Sequence, residues 1–194
     1  MADPVEPFRH ETDRLILRDW REEDWEPFWR HLNTPNVMRH LGGVADAEAR
    51  QRAQERLNQY NREAGHTFWV VQRHSDGGHL SGEILGFCGL KLCNEPNGPI
   101  GDVEAGWRLR EDAWGHGYAK EAAIASLALA FEQFNAPHVI ALTVDENVGS
   151  WGLMKKLGMQ RRADMDFADS VSWAKGETII VHRIERDEWQ ALYG

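Results

Sequence analysis

The chain has 194 residues, of which 42% are hydrophobic and 27% are charged, and this predicts a single domain spanning residues 1–194. Its net charge of −9 argues against a nucleic-acid binder, but it is compatible with a cationic substrate and with ordinary solubility. No run of about 18 apolar residues predicts a membrane span, and the acidic residues 1–6 are unlike a secretory signal.

The first half of the chain combines three strand-like regions with two helical ones. Apolar residues at i, i+3, i+4 and i+7 mark the first helix, and Asn33-Thr34-Pro35 ends it. The predicted elements are a strand over 14–19, a helix carrying Trp25, Phe28, Trp29 and Leu32, a helix from Asp46, and strands over 67–71 and 84–90.

The second half alternates strands and helices. Its predicted elements are a strand over 102–110, a helix with Ala119, Ala123, Leu127, Phe131 and Phe134 on one face, a strand over 139–144, a short helix between Asn147 and Gly158, strands near 160–167 and 177–184, and a tail helix around Trp189. This order predicts an α/β fold with a mixed sheet of about seven strands. An antiparallel meander precedes a parallel, right-handed strand–helix–strand unit.

The two cysteines and nine histidines show no metal or disulfide pattern. Cys88 and Cys93 are five residues apart, a spacing that directs them to opposite faces of a strand and favours apolar packing. A reducing cytoplasm is consistent with this cysteine usage. No histidine pair has i, i+4 spacing with an acidic partner, so we expect no metal.

A glycine-containing loop, residues 114–120, separates the strand ending at Leu109 from the helix that follows. Two glycines before a helix N-terminus leave backbone N–H groups accessible, which favours phosphate binding. The loop lacks the lysine ending of nucleotide-hydrolase phosphate loops and the three glycines of the dinucleotide fingerprint. Another nucleotide enzyme using this loop remains an alternative.

Five motifs in order extend this interpretation. They are residues 11–18, 84–89, 103–109, the loop 114–120, and 147–150 followed by 156–159. From about Glu11 to Trp189 the chain resembles the GNAT superfamily of acyl-CoA-dependent N-acyltransferases, and more closely its ribosomal-protein N-terminal acetyltransferase branch. The resemblance implies the GNAT fold, acetyl-CoA as co-substrate, a primary-amine acceptor, direct attack in a ternary complex and a possible homodimer.

The resemblance also implies which residues bind the coenzyme. The pyrophosphate contacts the backbones of Trp114, Gly115, His116, Gly117, Tyr118, Ala119 and Lys120. The pantetheine arm pairs with a splayed strand at Trp107, Arg108, Leu109 and Arg110, where the Leu109 amide polarises the thioester carbonyl. The Arg108 and Arg110 side chains are equally explained as solvated charges. Trp114 stands where relatives have Gln or Arg, and Asn147 either contacts the coenzyme, caps its helix, or does both.

Two residues are candidates for acid–base roles. Glu104 is the candidate general base, with a structural carboxylate paired to a cation as the alternative. Many relatives place a tyrosine acid where this chain has Met154. Ser150 is the nearest replacement and a second coenzyme contact, or it caps its helix. The thiol of coenzyme A is also acidic enough to leave without a protein acid.

The candidate acceptor pocket is rich in large apolar side chains. Its residues are Trp29, Met38, Trp69, Phe87 and Trp173, each of which core packing would also explain. The acceptor is left open among a protein α-amine, an amino acid, a polyamine and an amine antibiotic. A non-catalytic acyl-CoA-binding or sensing module of the same fold is the alternative function.

Overall fold

The structure is a computed structural model that describes residues 7–169, 174 and 176–194. Its strands are β1 (Arg9–Glu11), β2 (Leu15–Arg18), β3 (Phe68–Arg73), β4 (Ile84–Leu92), β5 (Val103–Leu109), β6 (His138–Val144), β7 (Gln160–Arg161), β8 (Phe167–Ala168) and β9 (Thr178–Glu185). Its helices are α1 (Trp25–Leu32), α2 (Pro35–Met38), α3 (Ala47–Ala64), α4 (Tyr118–Ala128), α5 (Val148–Lys156) and α6 (Arg186–Tyr193).

All nine described strands belong to one sheet in the order β1-β2-β3-β4-β5-β6-β9-β7, with β8 also paired to β9. The β5–β6 pair is parallel and the other pairs are antiparallel, which confirms the predicted mixed α/β sheet. No helix in the described ranges is long and apolar enough to cross a membrane.

The prediction of about seven strands was too low. Residues 9–11 form an edge strand that the polar sequence did not indicate. The predicted strand near 160–167 is two short strands, because residues 163–165 form a helical turn between them. Within this interruption, the Asp166 carboxylate accepts a hydrogen bond from the Val181 amide at 3.1 Å, so a side chain replaces a ladder partner.

Helix boundaries follow their capping residues. Asp46 accepts a hydrogen bond from the Ala49 amide at 2.8 Å, so α3 begins where the sequence predicted. The α1 helix ends at Leu32 as expected. Pro35 then starts α2 with Thr34 as its cap, so the proline that ends one helix occupies the first turn of the next.

The sheet has two covered faces. On one face α4 packs over a core that includes Trp69 and Cys88, and a single π-helical turn over 129–133 continues the helix. The α4 helix is buried around more of its surface than the predicted stripe, since Ala122 and Ser126 are also fully buried. On the other face α1 and α3 cover Phe87 with a second apolar cluster.

Candidate active site

The two parallel strands at the centre of the sheet separate after one pairing. The β4–β5 ladder contains seven residue pairs, whereas β5 and β6 are registered only at Glu104 and Ile140. The Arg110 amide donates to the Leu85 carbonyl oxygen at 2.8 Å. Because amides alternate along an antiparallel ladder, the amides of Trp107 and Leu109 face the opposite edge, toward the gap.

The glycine loop lies at the end of β5 nearest this gap. Gly115 and Gly117 have φ values of +79° and +81°, the left-handed region that favours glycine. Gly117 is the N-cap of α4, and no side chain in the described part of the molecule caps that helix. The first-turn N–H groups therefore have no competing side-chain acceptor, and the helix dipole adds positive potential there.

Side chains of the loop contact the surrounding structure in ways that the sequence did not predict. The Trp114 indole N–H donates to the Leu109 carbonyl oxygen at 2.9 Å, so this tryptophan ties the loop to the end of β5. The buried Tyr118 hydroxyl accepts from Arg73 Nε at 3.2 Å. His116 stacks on His79 with ring centroids 3.9 Å apart.

Arg14 supplies a cation beside the loop. Its Nη1 donates to the His116 carbonyl oxygen at 3.0 Å, and its Nη2 lies 3.4 Å from where a Gly117 side chain would begin. Glu121 of α4 accepts from the Arg14 amide at 2.8 Å and from its Nε at 2.7 Å. Burial raises the pKa of Glu121, but hydrogen bonds from Thr12 and Arg14 outweigh this and lower it. Glu121 therefore stays ionised and holds Arg14 in place.

The remaining predicted loop residues have ordinary environments. Lys120 is exposed at the first turn of α4, and Ala119 is partly buried against the core.

Arg108 and Arg110 of β5 are two further predicted coenzyme contacts. Arg108 has a hydrogen bond only to the Met38 sulfur among the described residues, whereas Arg110 has carboxylate partners. Arg110 is buried and pairs with Glu83 and Asp112, so it is not a solvated charge.

Glu104 is buried at the start of β5, directly opposite Lys91 on β4. The Lys91 Nζ lies 2.8 Å from Glu104 Oε2 and 3.5 Å from Glu95 Oε1. Burial raises the pKa of Glu104, and the Lys91 charge opposes that rise. Burial also opposes the charge on Lys91, but the Glu104 and Glu95 carboxylates raise its pKa. The cation-paired carboxylate considered from the sequence is thus present in the fold.

The sequence offered both Asn147 and Ser150 as residues that cap the start of α5. The Asn147 carboxamide oxygen accepts from the Ser150 amide at 3.3 Å, so Asn147 is the N-cap. The Ser150 hydroxyl is therefore not needed for capping. Met154 is fully buried in the core on the inner side of α5.

Three of the predicted acceptor residues lie on the same side of the sheet, toward α1–α3. Trp29 and Phe87 belong to the cluster formed by α1, α3 and β4. Met38 of α2 is also buried, and its Sδ lies 3.4 Å from Arg108 Nη1. Trp69 lies in the core under α4, stacked on Phe8. Trp173 lies outside the described residues.

Alternate residues of a strand point to the same face, so Glu104, Gly106 and Arg108 all lie on the face of β5 toward α1–α3. Phe87 of β4 pairs with Arg108 and lies on this face too. The Phe68 ring covers Gly106, where an added Cβ would come within 2.7 Å of it. This ring also stacks on Phe87 with centroids 5.1 Å apart. One face of β5 thus presents a carboxylate and a guanidinium on either side of an aromatic surface.

A cavity of about 510 Å³ lies between α1 and α3, lined in part by Trp25, Trp29 and Arg50. None of its lining residues belongs to β5 or to the glycine loop. The cavity therefore lies on the α1–α3 side of the sheet, and it is separate from the loop. Within the described part of the chain, no three His, Cys, Asp or Glu side chains are arranged to hold a metal ion.

Comparisons with known proteins agree with this architecture. A family model described as an acetyltransferase (GNAT) domain matches residues 14–160. The uncharacterized N-acetyltransferase YnaD of Bacillus subtilis (strain 168) is 31% identical over 151 residues, which are 77% of this chain and 81% of that protein.

Two solved structures share the fold. An acetyltransferase from Agrobacterium tumefaciens str. C58 has a TM-score of 0.74 at 23% identity, covering 92% of this chain and 94% of that one. A ribosomal-protein-S5-alanine acetyltransferase from Vibrio fischeri has a TM-score of 0.70 at 15% identity, covering 94% and 98%. The chain belongs to the GNAT acetyltransferase family. It is an acyl-CoA-dependent acetyltransferase, and enzymes of this family use acetyl-CoA as co-substrate.

Proposed function

We propose that this enzyme transfers the acetyl group of acetyl-CoA to a primary amine by direct attack in a ternary complex. The observation that carries the proposal is the parting of β5 from β6 with the glycine loop beside it. An extended pantetheine chain can pair with a free strand edge, and a diphosphate suits uncapped helix amides. No acyl-enzyme is required, because the acceptor's own nitrogen is the nucleophile that attacks the thioester.

In this proposal the diphosphate contacts the backbones of residues 114–120, with Arg14 adding a nearby positive charge. The amides of Trp107 and Leu109 face the pantetheine arm. The Leu109 amide is the proposed donor to the oxyanion that develops on the thioester carbonyl. Support for this role comes from the ladder alternation that turns the Leu109 amide toward the gap.

Glu104 is the proposed general base. An amine is protonated near neutral pH and must lose a proton before it attacks, so a carboxylate with a raised pKa suits the task. The proton passes from the amine to Glu104 directly or through water. Lys91 keeps the carboxylate charged despite its burial.

Ser150 is the proposed proton donor to the leaving thiolate and a coenzyme contact, together with Asn147. The Asn147 side chain already satisfies the α5 N-terminus, which leaves the Ser150 hydroxyl available. If Ser150→Ala leaves the rate of thiol release unchanged, the coenzyme thiolate leaves without help from this residue.

We place the enzyme close to the ribosomal-protein branch of the family, with a protein N-terminal α-amine among its acceptors. The motif resemblance supports this placement, and the Vibrio fischeri enzyme contributes only a likeness of fold.

The described residues form a single sheet from β1 to β9, which supports treating the chain as one domain. A cytoplasmic location suits the two free, buried cysteines, Cys88 and Cys93, and homodimerisation remains part of the proposal.

The direct test is an amine panel incubated with acetyl-CoA, with thiol release and acetylated product measured together. Amine-dependent release at matching product yield supports the proposal. Tight coenzyme binding without acetylation of any amine would instead support a non-catalytic acyl-CoA-binding module. Parallel double-reciprocal lines with an isolable acetylated protein would overturn direct transfer.

The role of Glu104 is tested by Glu104→Gln, with Glu95→Gln as a control because both carboxylates contact Lys91. We expect Glu104→Gln to lower kcat/KM about 100-fold or more, with the greatest loss at low pH where the amine is hardest to deprotonate. Glu95→Gln keeps the base and should change little. Equal pH profiles for the two variants would remove Glu104 from the mechanism.

A further inference from the structure

Arg108 is partly buried, and its partners differ from those of the fully buried arginines. Arg18, Arg73 and Arg110 each have a carboxylate partner: Asp24 for the first, Asp76 for the second, and both Glu83 and Asp112 for the third. Among the described residues no carboxylate pairs with Arg108, and its buried Nε has no hydrogen-bond partner. A charge removed from water in this way is costly unless a partner completes it.

The surroundings of Arg108 are apolar and lie on the acceptor side of the sheet. Its guanidinium carbon is 5.0 Å from the centroid of the Phe87 ring and 6.0 Å from that of Phe28. Its hydrogen-bond partner within the described ranges is the Met38 sulfur, a weak acceptor at 3.4 Å. Aromatic faces hold a guanidinium in position without neutralising it.

A second cation reinforces this site. Burial and the nearby charge of Arg56 on α3 lower the pKa of Arg108 to about 10. Arg56 is itself exposed, and no described carboxylate is paired with it. A guanidinium without an acid partner, beside a second positive charge, favours an anion, and a carboxylate matches its planar geometry.

Arg108 is also correctly placed relative to the proposed chemistry. It shares one face of β5 with Glu104, and Gly106 with the Phe68 ring lies between them. An acceptor lying along this face would meet the base at one end and the guanidinium at the other. The aromatic rings between them would contact an apolar linker.

We propose that Arg108, assisted by Arg56, binds a carboxylate of the acceptor, so that the substrate is an amine that also carries a carboxylate. This inference rests on the proposed acetyl transfer and specifies its acceptor class. The positive charge at this site also differs in sign from the net charge of the whole chain, which is compatible with a cationic substrate and with ordinary solubility.

The test compares kcat/KM for amino carboxylates of increasing chain length with the corresponding amino amides, which keep the amine and lose the charge. Short peptides with Asp or Glu near the N-terminus, matched to Asn or Gln versions, form a second arm. We expect a preference of about tenfold or more for the carboxylate at one spacing. The arm in which it occurs identifies a free amino acid or a peptide as the source.

Variants of the two arginines locate the effect. Arg108→Gln should abolish the carboxylate preference, and Arg108→Lys should restore part of it. Arg56→Gln, at an exposed position that folding tolerates, should reduce the preference. The matched control is Arg52→Gln on the same helix, where the arginine is already paired with Glu48 and the preference should be retained.

The outcomes distinguish this inference from the function on which it rests. Acetylation of amines with equal kcat/KM for carboxylate and amide forms overturns the carboxylate site and leaves acetyl transfer intact. A preference that survives in both Arg108→Gln and Arg56→Gln also overturns it. Failure to acetylate any amine overturns the proposed transfer, and the carboxylate site with it.

Discussion

Replacing Gly117 with alanine tests the anion-binding loop at the point where its backbone is most constrained. Gly117 has a φ of +81° and caps α4, and an added Cβ would meet only the end of the Arg14 side chain, at 3.4 Å. The left-handed conformation costs a non-glycine residue about 1–2 kcal/mol. The fold should therefore survive, because Arg14 can shift.

The expected loss of coenzyme affinity follows from the amides at this position. A hydrogen bond to a charged group contributes about 1.5–3 kcal/mol, so displacing one phosphate–amide bond should raise the Kd for coenzyme A about 10- to 100-fold. Isothermal titration calorimetry measures this change, and urea unfolding measures the accompanying loss of stability.

Gly101→Ala is the matched control for the Gly117 substitution. Gly101 also has a positive φ, +90°, with open space around an added Cβ, and it lies before the start of β5 at the end away from the loop. Gly101→Ala should lose similar stability and keep its affinity for coenzyme A. If both variants bind coenzyme A as tightly as the unmodified chain, the loop amides do not hold the diphosphate.

Three further perturbations test other parts of the structure. Asp24→Asn removes the charged partner of the buried Arg18, whose Nη1 lies 2.7 Å from Asp24 Oδ2. Urea titrations should show the free energy of unfolding lowered by about 3–5 kcal/mol. A loss below about 1 kcal/mol would contradict the buried pairing. Trp114→Phe removes the hydrogen bond to the Leu109 carbonyl and should weaken coenzyme A binding several-fold by calorimetry, and an unchanged Kd would show that the loop holds its position without it. Burial lowers the pKa of His66, so the neutral side chain stabilises the fold above the unfolded pKa of 6.5, and this stability is lost as the pH falls through the lower folded pKa. His66→Gln should therefore reduce the loss of unfolding free energy at acid pH. Identical pH–stability curves for the two proteins would refute the lowered pKa of His66.

Local patterns predicted much of the fold because local forces form those elements. The caps at Asp46 and Asn147 and the glycines of the loop have the positions expected from sequence. The short edge strand β1 was missed because residues 9–11 are polar, and the interruption between β7 and β8 was missed because it involves a side-chain hydrogen bond from the distant Val181 amide to Asp166.

The sequence did not predict those pairs of residues in the candidate site that are distant along the chain and come into contact only in the fold. Arg14 and Glu121 are distant in sequence, and nothing local pairs them. Lys91 becomes the partner of Glu104 only once the β4–β5 register is set. Trp29 and Trp69 are chemically identical, yet they pack on opposite sides of the sheet because of their positions in α1 and β3.

A structure of this enzyme with bound coenzyme A would show whether the glycine loop and the strand gap hold the acetyl donor. We expect the diphosphate on the backbone of residues 114–120 and the pantetheine arm between β5 and β6. We further expect the thiol near the edge that carries the Trp107 and Leu109 amides. Coenzyme A bound elsewhere, with β5 and β6 free of the pantetheine arm, would contradict the proposed donor site.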